Sequence, residues 1–163
     1  MTSTRRIMLK AVAAAAAVGA LAGSIEGSAQ VRAASPPPAD SPEVIGLKGY
    51  DPVAYFTLST ATPGTAEYEY TYDGVRYLFA NARHRDMFRA NPEKYAPQFG
   101  GSCAMNLANG ILRESDPTIW VIVNERLYVF AGTAGADRFR KEAGAAAARA
   151  AANWRQIRAI RSQ

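Results

Sequence analysis

One cysteine and one histidine occur among the 163 residues, Cys103 and His84. Each has a methionine close by: Met105 follows Cys103 by two positions, and Met87 follows His84 by three. Thiolate, thioether and imidazole together suit Cu(I) better than Mg or Ca, and zinc calls for more Cys or His. The His84–Met87 spacing puts both on neighbouring positions of one helix face. A copper site of two to four ligands follows if the fold brings Cys103, Met105, His84 and Met87 together. Packing is the competing account, because buried methionines usually fill cores and Arg83 and Arg85 flank His84 as a solvated face would.

Cys103 also stands behind Gly100-Gly101. A helix N-terminus lowers a thiol pKa, and glycines let another group approach the backbone closely, so a nucleophilic thiol is a second role. The same glycines let free amides hold an anion. The only histidine available as its base is His84, and no Cys-His-Asn/Asp protease signature is present. The plain alternative is a small buried hydrophobe. Tyr50 and Asp51 sit beside a turn, where an aromatic with a polar tip and a carboxylate line a pocket; Asp before Pro52 also forms turns through its own side chain. The sequence has no Gly-rich phosphate loop, CxxC, HExxH or CxxCH.

These residues must be held by a small domain. Residues 1–33 read as an export signal: paired Arg5-Arg6, a short alanine-rich run, and small residues at Gly27 and Ala29 for cleavage. The run is too short to span a bilayer stably, so no membrane span is expected in the mature chain. The expected destination is a bacterial periplasm or the outside, where a lone cysteine has no internal disulfide partner. That segment holds four of the 19 basic residues and one of the 14 acidic, so 15 against 13 remain, a net of +2. No run of basic residues with interleaved aromatics stands in the sequence, so no nucleic-acid partner is expected. Residues 34–43, rich in proline, read as a tether, and 44–163 as one domain.

Within that domain, Tyr68, Tyr70 and Tyr72 alternate with Glu67, Glu69 and Thr71. Asp73-Gly74 then predicts a hairpin continued by Val75, Tyr77 and Phe79. Asn81 predicts the cap of a helix over 82–90, Asn91-Pro92 its end, and Pro92 a further short turn. Ser102 to Ala108 reads as helix, stopped by Asn109-Gly110. TIWVIV and RLYVFA predict a second hairpin around Asn124-Glu125. A single long helix is expected over 137–160, with Phe139, Ala143, Ala146, Ala150, Trp154 and Ile157 inward. Arg138, Lys141, Arg149, Arg155 and Arg158 lie opposite, as a solvated face or a weak docking face for an anionic membrane or a partner. The class expected is α+β: a small antiparallel or mixed sheet of two hairpins, helices packed on one side, and a long C-terminal helix.

The order of GYDPVAYF (49–56), YDGVRYLFA (72–80), RDMFRANPEKYAPQFGGSCA (85–104) and DPTIWVIVNERLYVF (116–130) resembles the YHS domain family, in its exported bacterial branch. The resemblance runs from Ile45 to Trp154 and implies a compact α+β module associated with metal. Cysteines that some members carry near the strand–helix junction are absent here, where Leu78-Phe79-Ala80 stands; Gly100, Gly101, Cys103 and Ala104 keep the second element. The expected function is a periplasmic module binding a metal ion, copper favoured, or a small ligand. A thiol-dependent enzyme or redox protein using Cys103, and a structural partner of another exported protein, are the alternatives.

Overall fold

In the computed structural model the described residues are 44–161; the expected export signal and tether lie outside them. Strand β1 (Val44–Ile45) passes through a tight turn at Gly46–Gly49 to the one-turn helix α1 (Ala54–Thr57). Strands β2 (Thr65–Tyr72) and β3 (Val75–Phe79) form the first hairpin. Its turn residues Asp73 and Gly74 have φ of 50° and 73°, the left-handed pair that a two-residue turn of this kind needs. β1 joins the far edge of β3 in parallel, Val44 opposite Val75, giving the order β1-β3-β2. The second hairpin, β4 (Asp116–Val123) with β5 (Arg126–Phe130), turns at Asn124 and Glu125 and makes a separate two-stranded sheet. The α+β class is as expected, with the two hairpins in two sheets.

Helix α2 (Ala82–Ala90) starts where Asn81 accepts the His84 N–H at 2.9 Å. Asn91 ends it and caps α3 (Pro92–Tyr95), accepting the Lys94 N–H at 3.2 Å. Helix α4 (Ala104–Ala108) follows the Gly100-Gly101 turn. The single C-terminal helix expected over 137–160 is two: α5 (Thr133–Lys141) and α6 (Ala143–Arg161). They part at Glu142, whose φ of −134° leaves the helix while its N–H closes a tighter turn onto the Phe139 carbonyl at 3.2 Å. Its carboxylate then bridges the break, accepting from Arg138 of α5 and Arg149 of α6. The bend lets Phe139 enter the core against Tyr128 and Phe130, while Ala146 and Ala150 seat α6 closely on α4.

Three apolar clusters result. The largest joins α4, α5, α6 and the second hairpin around Leu107, Phe130 and Phe139. Another sits on the first hairpin, where Phe88 of α2 packs its ring against Tyr70, Tyr72, Tyr77 and Phe79 at centroid distances of 4.9–6.2 Å. The third, Leu47, Tyr55, Leu127 and Val129, lies between them. Gly64 fits because the chain passes closely against β3: a Cβ there would run into the Leu78 carbonyl group.

Candidate functional site

Asp51 is fully buried, and its position follows from Pro52. The proline turns the chain, and Oδ1 accepts the N–H groups of Val53 at 2.8 Å and Ala54 at 3.3 Å, which start α1. Oδ2 accepts the Ala80 N–H at 2.9 Å, tying α1 to the end of β3. The same oxygen takes the Nδ1 hydrogen of His84 at 2.6 Å. Four N–H donors therefore converge on one carboxylate with no water needed, which is what a buried charge requires. The turn role expected for Asp51 is present; the carboxylate itself does not line the pocket described below and reaches it only through His84.

His84 is 6% exposed and is placed by the Asn81 cap, which sets the first turn of α2. Because Asp51 only accepts, Nδ1 carries a proton and Nε2 is the nitrogen left for other work. Nε2 lies 3.2 Å from the Thr57 hydroxyl, and that hydroxyl is also 3.1 Å from the Val53 carbonyl. Thr57 has one hydrogen for two acceptors: it donates to Nε2 when the ring is neutral and to Val53 when Nε2 is protonated. The order hydroxyl, imidazole, carboxylate is that of a nucleophilic triad. Here the Val53 carbonyl shares the hydroxyl hydrogen with the ring, at 3.1 Å against 3.2 Å.

Thr57, Tyr68, Asn81, Arg83, His84 and Met87 line an open pocket of about 710 Å³. Met87 borders it from the helix position one turn beyond His84 while its stem packs on the Phe88 cluster. Tyr68 is occupied at its hydroxyl by Glu67, whose hydrogen bond and charge hold the phenol above its usual pKa.

The remaining candidates lie elsewhere. Cys103 is 1% exposed, packs in the largest cluster with Met105, and its Sγ accepts from the Asn106 amide at 3.0 Å. Its backbone pairs with Val129 of β5, so it closes the core at the sheet edge. Tyr50 is half-buried and bridges Pro63 across the turn. Gly100 and Gly101 have φ of 62° and 79°, a left-handed pair that only glycines adopt readily. Gly100 belongs to a second cleft, distant in composition from the His84 pocket. Thr57 is the site residue absent from the sequence expectations, because nothing in the chain around it marks a contact made 27 positions away.

Among the described residues, no group of three or more His, Cys, Asp and Glu is placed to hold a metal ion, and no helix is long and apolar enough to cross a membrane. What the site defines is one oriented imidazole at the edge of an open pocket. Residues 53–99 match the YHS domain, a span that holds Thr57, Tyr68, His84 and Met87 and ends before Cys103. No curated protein and no solved structure matches the chain.

Proposed function

We propose that this chain is an exported binding module whose site is the His84 pocket, taking a soft metal ion, Cu(I) favoured, or a small ligand in its place. The observation that carries this is the 2.6 Å contact between Asp51 and His84. A carboxylate holding Nδ1–H is the usual outer partner of a metal-binding histidine, since it fixes the tautomer and strengthens Nε2 as a donor. The donor-bearing side chains bordering the pocket are the imidazole of His84, the thioether of Met87, the hydroxyls of Thr57 and Tyr68 and the Asn81 carboxamide, of which only His84 and Met87 suit a soft ion. That pair fits a soft ion of low coordination number and does not fit zinc, which takes four N, S or O ligands. The family association of the YHS domain with metal binding points the same way. His84 and Met87 would hold the ion, and Thr57 would keep its bond to Val53 when Nε2 is taken. Export through the twin-arginine signal accounts for the N-terminal sequence. Cys103 and Met105 serve the core in this reading.

Cu(I) competition against a chromogenic chelator, on chain exported through its own signal, tests it. One ion per chain is expected, with affinity lowered by Met87→Leu, lowered about 10–100-fold by Asp51→Asn, and unchanged by Cys103→Ser. Retention of all copper by the chelator refutes the metal reading. Loss of the ion in Cys103→Ser with Met87→Leu unaffected moves the site to the core sulfur and refutes its placement.

A further inference from the structure

A second cleft is lined by residues other than those of the His84 pocket. It has a volume of about 730 Å³ and lies where the C-terminal part of α6 faces the turn of the first hairpin and the Gly100 turn. Arg126, Arg155, Arg158 and Arg161 line it, with Asp73 and Glu93 as the acidic residues. Arg158 pairs with Asp73 at 3.5 Å. No ion pair is made by Arg126, Arg155 or Arg161 among the described residues.

Arg155, Arg158 and Arg161 recur every third residue, so their backbone positions rise along one helix face by about 4.5 Å each. Trp154 forms part of the wall, next to Gly100, whose φ of 62° is the left-handed conformation that favours glycine. A solvated helix face explains arginines pointing into water; it does not explain why they line a concavity with an aromatic wall. The glycine turn that the sequence marks as a candidate anion holder borders the same cleft. Concavity also favours a small ligand over a bilayer, which needs a convex or flat basic surface.

We infer that this cleft, separate from the His84 pocket, binds a small multiply charged anion through the α6 guanidiniums, by way of phosphoryl or carboxylate oxygens. Guanidinium forks suit both groups, in paired hydrogen bonds.

The test is calorimetric and NMR titration of the full chain with inorganic pyrophosphate and, separately, citrate, at low salt and at about 0.15 M salt. Saturable one-site binding is expected, with the Trp154 indole signal shifting. Arg155→Gln and Arg161→Gln should each weaken it about tenfold, while Arg149→Gln, whose side chain pairs with Glu142 away from the cleft, leaves it unchanged. Preference for pyrophosphate or for citrate identifies the phosphoryl or the carboxylate source, and either supports the inference. Absence of saturation with both anions overturns it. So does an equal loss in Arg149→Gln, which reports diffuse positive charge, or binding to phosphatidylglycerol vesicles that neither anion displaces, which reports a membrane surface. Copper uptake at His84 is unaffected by any of these outcomes, so the two sites stand or fall separately.

Discussion

Replacing Asp51 with Asn keeps the volume and removes the charge, so it isolates what the carboxylate does. The amide oxygen can still accept from Val53 and Ala54, but an NH₂ group then stands where the Ala80 N–H and His84 Nδ1–H donate. The half-buried Ala80 N–H loses its acceptor, and a stranded donor costs about 1–3 kcal/mol. His84 can adapt by moving its proton to Nε2, so that Nδ1 accepts from the new amide. That keeps a neutral bond of about half the strength of the charged one. The sum is a destabilisation of about 3 kcal/mol. For a domain of this size that is a fall in Tm of roughly 10 °C. Thermal unfolding measures the first quantity, and nitrogen chemical shifts of the imidazole read the tautomer directly. A loss below about 1 kcal/mol, with the proton still on Nδ1, would falsify the claim that this carboxylate holds and orients the ring.

Three further outcomes are expected. Phe88→Ala removes the ring around which four aromatics of the first hairpin pack, and should cost about 3–5 kcal/mol in urea unfolding; a cost under about 1 kcal/mol means the site collapses without it. Burial holds the Tyr55 and Tyr77 phenols well above the usual tyrosine value, with neighbouring charges adding to it. The unfolded chain therefore ionises first as pH rises, so stability is complete below about pH 10 and declines above it. A urea midpoint that holds steady as pH is raised from neutral to about 11 contradicts this. Cys103 should react with a thiol reagent only at the rate of global unfolding, because it is sealed at 1% exposure; fast labelling of the native chain returns it to the list of reactive groups.

Local features carried most of the fold into view. Asp-Gly at 73–74 demanded positive φ at both positions, and the structure has it; Asn81 and Asn91 cap the helices their side chains can reach. The interruption of the C-terminal helix had one weak local sign, Gly144 two residues past the break, in a run otherwise rich in alanine. Glu142 leaves the helix there so that Phe139 and Ala146 can both face the core, a tertiary demand that overrides propensity. The candidate site was visible only in fragments. Asp51 stood out as a turn carboxylate and His84 as an isolated imidazole, yet nothing local links residues 33 positions apart. Their pairing depends on β3 delivering Ala80 to the same oxygen, and Thr57 enters only because α1 ends beside α2.

Tyr55 donates its hydroxyl to the Pro117 carbonyl at 2.9 Å, and its ring meets Trp120 at 5.3 Å. It lies inside the stretch that matches the YHS domain, while both partners lie beyond it. The segment defined by sequence likeness is therefore not a self-sufficient piece of architecture: cut at its edges, it keeps His84 but loses Asp51 and the wall behind Tyr55. Transplanting this module into another protein would require carrying the flanking turn and the second hairpin as well, and the unit of inheritance here is larger than the unit of recognition.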